Sequence, residues 1–69
     1  MKKETLENIS ENLRLYLKKE QIGKVAFARM AGVSAPTITS VFKEKEVSIS
    51  IYTKIAKEMG VSFEQLISD

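Results

Sequence analysis

The polar side chains that could take part in recognition or catalysis concentrate in one short stretch of this 69-residue chain. Residues 34–43 read SAPTITSVFK and carry the hydroxyl groups of Ser34, Thr37, Thr39 and Ser40. The rest of the chain offers little catalytic chemistry, because it has no His and no Cys, lacks a glycine-rich phosphate loop, and has its single Asp as the last residue. We therefore expect non-covalent binding and no enzymatic activity.

Two short helices joined by a tight turn are expected around this stretch. Apolar residues recur at helical spacing before Gly32 and again after Val33, in two sets: Phe27, Ala28 and Ala31, then Ile38, Val41 and Phe42. Gly32 suits the left-handed conformation that closes the first helix, and Ser34 is placed to cap the second. The second helix is predicted over residues 35–43, or from Pro36, because proline disfavours helical geometry in the residue before it.

The outer face of this second helix is unusual for a solvated helix, which normally carries Glu and Lys. Once the apolar residues are turned inward, the face consists of small residues and one cation: Ala35, Pro36, Thr37, Thr39, Ser40 and Lys43. Such a face predicts close approach to another surface.

The turn pattern Ala28-x-x-x-Gly32-Val33-Ser34, with apolar residues on both sides, closely resembles the helix-turn-helix of phage-repressor-like (XRE, or lambda-repressor-like) transcriptional regulators. The likeness runs from Ile9 to Ile67. It implies an all-α, compact five-helix lambda-repressor-like DNA-binding domain with the helix-turn-helix at helices 2 and 3. It also implies a transcriptional regulator, of repressor type, that inserts helix 35–43 into the major groove of double-stranded DNA.

Carried over residue by residue, the resemblance implies that Lys24 faces a phosphate. Ala35, Pro36, Thr37 and Ser40 match positions that face bases or nearby phosphates, and Lys43 and Lys45 could lie along the DNA backbone. The candidate DNA-binding set is therefore Lys24, Ser34, Ala35, Pro36, Thr37, Thr39, Ser40, Lys43 and Lys45. No Arg, Asn or Gln stands on this face to read guanine or adenine, so contacts to thymine methyls and shape readout are expected. A protein-interaction module or antitoxin-like partner protein with the same fold is the alternative, since fold alone does not decide function.

Length and composition limit the number of domains and the possible classes of protein. Residues 1–69 make one small domain, with residues 1–4 expected to fray. Eleven Lys and Arg against nine Asp and Glu give a net charge of +2, which permits nucleic-acid binding. No apolar run approaches the roughly 20 residues of a membrane span, and no signal peptide is evident. A cytoplasmic location is expected, with no metal, cofactor, membrane or small-molecule substrate.

Three further helices are predicted around this pair. Residues 5–20 form an amphipathic helix that Thr5 could cap, and Gly23 occupies the cap position before Lys24. Ser48 caps a fourth helix whose inward set is Ile49, Tyr52, Ile55, Ala56 and Met59. Ser62 and Gln65 form a capping box for a short last helix.

A homodimer on a two-fold DNA site is expected, because small regulators of this kind usually act as dimers. We expect the contact to come from this domain itself. Three apolar residues look surplus to the core, and we predict that they form the dimer interface: Val47, Ile51 and Ile67.

Overall fold

Five α-helices and no strands make up the structure, a computed structural model that describes all residues from Met1 to Asp69. The helices are α1 (Lys3–Glu20), α2 (Lys24–Ala31), α3 (Ala35–Phe42), α4 (Ile49–Met59) and α5 (Phe63–Ile67). α1 packs against α3 and α5, α2 packs against α3 and α4, and α4 packs against α5. The predicted all-α, five-helix architecture with a helix-turn-helix at α2 and α3 is confirmed.

Two predicted helix boundaries need correction. α1 begins at Lys3, because the Lys2 carbonyl already accepts a hydrogen bond from the Leu6 amide at 3.1 Å. Thr5 therefore lies inside the helix, and the prediction that it caps α1 is wrong. α3 begins at Ala35 despite the proline that follows, and it ends one residue earlier than predicted, with Lys43 as its capping residue.

The core is formed by the apolar faces that the sequence pattern predicts for all five helices. Its buried side chains are Ile9, Leu13, Leu17, Phe27, Ala28, Ile38, Val41, Tyr52, Ile55, Ala56 and Leu66. Ile49 was expected among them but is 60% exposed. It is the first residue of α4, one turn before the fully buried Tyr52, and there it lies beyond the edge of the core.

Four of the five helices end in the same backbone arrangement. A residue with positive φ donates to the carbonyl three residues back, and the next residue donates to the carbonyl five residues back, which is the Schellman motif. Glycine is the usual residue at this position and occupies it at Gly32 and Gly60, but Gln21 (φ 57°) and Glu44 (φ 62°) adopt the same conformation without being glycine. The residue after the left-handed one packs against the core at Ile22, Val33 and Val61, whereas after α3 it is the exposed Lys45.

The short helix α5 is attached to α1 by side-chain amides. Asn12 Nδ2 donates to the carbonyls of Leu66 and Ser68, both at 2.7 Å, and Asn8 Nδ2 donates to the Ile67 carbonyl at 3.1 Å. These carbonyls lie at the C-terminal end of α5, where the last carbonyls of a helix have no partner within it. The capping box predicted from Ser62 and Gln65 is present at the other end of the helix.

The loop between α3 and α4 is held from inside by Tyr52. The Tyr52 ring is fully buried beside Phe63, and its hydroxyl accepts a hydrogen bond from the Val47 amide at 3.1 Å. A phenol thus satisfies a partly buried loop N–H that has no helical partner.

Replacing Tyr52 with Phe is expected to lower the free energy of unfolding by about 1–2 kcal/mol, because the Val47 N–H loses its acceptor while the ring packing is kept. The matched change Tyr16→Phe should cost less, since the Tyr16 hydroxyl lies 3.5 Å from the Glu58 carbonyl, at the limit of a hydrogen bond. Urea denaturation of the parent and the two variants gives both values. Equal losses would contradict this account of the loop.

Candidate nucleic-acid interface

The turn between α2 and α3 sets the direction in which α3 projects. Gly32 has φ 77°, a left-handed conformation that costs a residue with a Cβ more than it costs glycine. Val33 then packs against the core, and the Ser34 hydroxyl accepts from the Thr37 amide at 3.2 Å as the helix cap. The two helices are bent by 115° across this turn. Every local role that the sequence predicts for the turn is confirmed.

No single helix in the structure is long and apolar enough to cross a membrane. Only α2 and α3 taken together, across the bend between them, have the length and apolar composition of a membrane span.

The far end of α3 is held by α1. Both Ser10 Oγ and an Arg14 guanidinium nitrogen donate to the Phe42 carbonyl, at 3.2 and 3.3 Å. The Arg14 guanidinium also lies over the Phe42 ring, 4.7 Å from its centre, in cation–π geometry. α3 is thus fixed at its start by the turn and at its end by two polar side chains of α1.

The small polar face of α3 lies at the surface between these two fixed ends. Pro36 is exposed, and Thr37, Thr39 and Ser40 are each partly exposed. Ala35 is also partly exposed, but it packs against the core as well and so faces outward only in part. The Ser34 and Thr37 hydroxyls are hydrogen-bonded to each other at 2.7 Å. The Ser40 hydroxyl makes no hydrogen bond within the chain, so its donor and acceptor are both available to a ligand.

Lys24 joins this face although it belongs to α2. Its ammonium donates to Thr39 Oγ1 at 3.0 Å, across 15 residues of sequence. Neither α2 nor α3 has an acidic residue in its first turn, whereas α1 has Glu4 and α5 has Glu64 there. The positive helix end beside Lys24 is therefore not neutralised by a local carboxylate.

Lys43 and Lys45 lie at the C-terminal end of the face, in the loop that closes α3. The Lys43 and Lys45 amides both donate to the Ser40 carbonyl, at 3.2 and 3.0 Å, so the loop folds back against the last turn of the helix. Both side chains are exposed. The structure thus places Lys24 beside the middle of the face, at Thr39, and Lys43 and Lys45 at the C-terminal end of the face.

Charge is unevenly distributed between this region and the rest of the chain. Residues 24–45 contain four cations and one carboxylate, a net charge of +3, and the remaining seven cations and eight carboxylates give −1. The net charge of +2 for the whole chain does not show this difference. The positive charge of residues 24–45 favours approach of a polyanion to the helix-turn-helix.

The side chains of the three predicted dimer residues are not fully exposed. Val47, Ile51 and Ile67 are each partly exposed, and each also packs against the core. The most exposed large apolar side chains are different ones: Leu15 (56%), Val25 (56%), Met30 (54%), Ile49 (60%) and Met1 (41%).

No group of three or more Asp, Glu, His or Cys side chains is arranged to hold a metal ion.

A solved structure with a similar fold is the crystal structure of a hypothetical transcription factor, NHTF, from Neisseria. It superposes with a TM-score of 0.79 over 88% of this chain and 71% of that chain, at 22% sequence identity. The two proteins share a fold. Neither a model of a known protein family nor a curated protein sequence matches this chain.

Sequence reasoning missed the side chains of α1 that position α3. Ser10 is buried in the middle of α1. The available signal in the sequence is its spacing from Leu6 and Leu13, which places it on the apolar face of the helix, where a serine needs a hydrogen-bond partner. Arg14 is exposed, but its side chain spans the gap to Phe42.

Glu44→Gly is expected to raise the free energy of unfolding by about 1 kcal/mol, because glycine adopts the left-handed conformation at the end of α3 without the Cβ clash. Glu44→Ala is the matched control, since it removes the carboxylate and keeps the Cβ. Urea denaturation compares the three proteins. If Glu44→Ala raises the free energy of unfolding as much as Glu44→Gly does, then the carboxylate charge, and not the backbone conformation, limits the stability at this position.

Proposed function

We propose that this chain is a DNA-binding transcriptional regulator, of repressor type, that places α3 in the major groove of double-stranded DNA. The observation that carries the proposal is the face of α3, where small hydroxyl and methyl groups are accompanied by Lys24 at Thr39 and by Lys43 and Lys45 in the loop that follows. The major groove admits an α-helix, short outer side chains let the helix approach the bases closely, and cations beside it can reach the phosphates. The fold shared with a protein described as a hypothetical transcription factor supports the same function. A cytoplasmic location belongs to this proposal.

The roles within the interface differ by chemistry. Ser40, with a free hydroxyl, is the residue that we assign to a base edge, since a hydroxyl can donate or accept there. Ala35 and the Thr37 methyl are suited to thymine methyls, and Pro36 and Ser34 to close approach beside the backbone. Lys24, Lys43 and Lys45 provide phosphate contacts, which carry affinity without sequence information.

A protein-interaction module is the second candidate function. It is favoured by two observations: α3 has no Arg, Asn or Gln on its outer face, and the outer face of α2 exposes Val25 and Met30 at 56% and 54%. The two functions differ in their response to salt, because phosphate binding releases counterions from DNA.

Lys24→Gln is expected to weaken binding to selected and unrelated duplexes by similar factors. It should also reduce the slope of log affinity against log salt by about 1, because one phosphate contact is lost. The fold should be as stable or slightly more so, since a cation at the positive end of α2 is removed. The measurement is a titration of fluorescent duplex DNA at several salt concentrations, with a DNA site first selected from a random pool.

Lys57→Gln serves as the control, because it removes the same charge from the last turn of α4, outside the proposed interface. It should leave the salt slope close to that of the parent. A parent protein with no salt-dependent DNA binding would favour the protein-interaction module instead.

We further propose that the chain binds DNA as a homodimer through Val47, Ile51 and Ile67, with half-sites about one helical turn (~34 Å) apart. A single helix with short side chains contacts few base pairs, and doubling the contacts on a two-fold site multiplies the specificity ratio. The partial exposure of all three residues leaves apolar surface that a second copy could cover.

Ile67→Glu is expected to shift the sedimentation of the protein toward a monomer and to weaken binding to a two-fold site. Leu15→Glu is the matched control, because Leu15 is 56% exposed and belongs to α1, which carries none of the three proposed interface residues. Circular dichroism must show the parent helix content in both variants, since Ile67 also packs on the core. Unchanged dimerisation in a folded Ile67→Glu protein would exclude this interface.

A further inference from the structure

The hydroxyl of Thr39 is used differently from that of another exposed helical threonine in the chain. A threonine inside a helix commonly donates to the carbonyl four residues back. Thr53 in α4 does so, with its Oγ1 3.0 Å from the Ile49 carbonyl. Thr39 instead accepts a hydrogen bond from the Lys24 ammonium at 3.0 Å.

This bond restricts a side chain that is otherwise highly mobile. An exposed lysine loses rotamer freedom when it contacts a phosphate, and that loss opposes binding. Lys24 is already held against α3 in the free protein, so part of the ordering has taken place before a ligand arrives. The ammonium has three N–H donors, and two remain for a ligand after Thr39 has accepted one.

The same bond also occupies one acceptor position of the Thr39 hydroxyl. Because one of its lone pairs accepts from an ammonium, its hydrogen points away from Lys24 and can donate to an anionic oxygen nearby. Two oxygens of one phosphate group beside the pair could then accept hydrogen bonds, one from each residue. This role differs from the contact to a thymine methyl that the sequence suggested for Thr39.

We propose that Thr39 is a positioning residue, which holds the Lys24 ammonium for a DNA phosphate and so contributes affinity that is independent of sequence. The proposal rests on the proposed DNA-binding function. It assigns Thr39 to the phosphate contacts and leaves base reading to Ser40 and the residues at the start of α3.

The test replaces Thr39 with Val, which keeps the size and one methyl group and removes the hydroxyl. Affinity for a selected site and for an unrelated duplex should both fall, by about fivefold, as for the loss of one hydrogen bond. The base ranking from a random-pool selection should not change. Thr39→Ser restores the hydroxyl and should restore affinity for both duplexes.

A double variant separates positioning from an independent contact. If Thr39 acts through Lys24, then Lys24→Gln should weaken binding less in the Thr39→Val background than in the parent. Thr53→Val is the matched control, because it makes the same change at a hydroxyl that is bonded to its own helix, and it should bind like the parent. The urea midpoint is measured for each variant, so that a loss of fold is not read as a loss of binding.

The outcomes are distinct. A parent that binds no duplex DNA overturns the proposed function itself. A parent that binds, with a Thr39→Val variant that binds equally well, overturns the positioning role alone. A Thr39→Val variant that changes the base ranking, or effects of Lys24→Gln and Thr39→Val that are simply additive in log affinity, also overturn it.

Discussion

The C-terminal carbonyls of a helix need donors, and in this small protein α1 supplies them for two other helices. Ser10 and Arg14 reach the end of α3, while Asn8 and Asn12 reach the end of α5. A chain of 69 residues has a small core, so packing alone fixes helix orientation weakly. Directional hydrogen bonds from one long helix add the missing constraint, and the direction of α3 depends on them.

Local chemistry made much of the helix-turn-helix predictable. Gly32, Val33 and Ser34 each have a role that follows from the backbone freedom, apolar character or hydroxyl of that residue alone, and the structure bears out all three. The left-handed residues Gln21 and Glu44 were not predictable in the same way, because neither residue type favours positive φ. There the hydrogen bonds of the helix end outweigh the local preference.

Contacts between residues that are far apart in the chain could not be predicted from the sequence. Lys24 and Thr39 are 15 residues apart, and their hydrogen bond exists because the 115° bend brings the first turn of α2 beside the middle of α3. The prediction that Ile49 is buried was wrong for a related reason. Helical spacing gives the direction of a side chain around its axis, but it does not say where along that axis the core ends.

Arg14 also changes the electrostatic field that α3 presents. A helix carries a partial negative charge at its C-terminus, which repels a polyanion. In this protein the guanidinium of Arg14 lies on the Phe42 carbonyl at that end and offsets the partial charge. A ligand approaching α3 therefore meets the positive end of the helix dipole without equal repulsion from the negative end. The residue that helps to orient α3 therefore also makes the C-terminal end of that helix less repulsive to an anion.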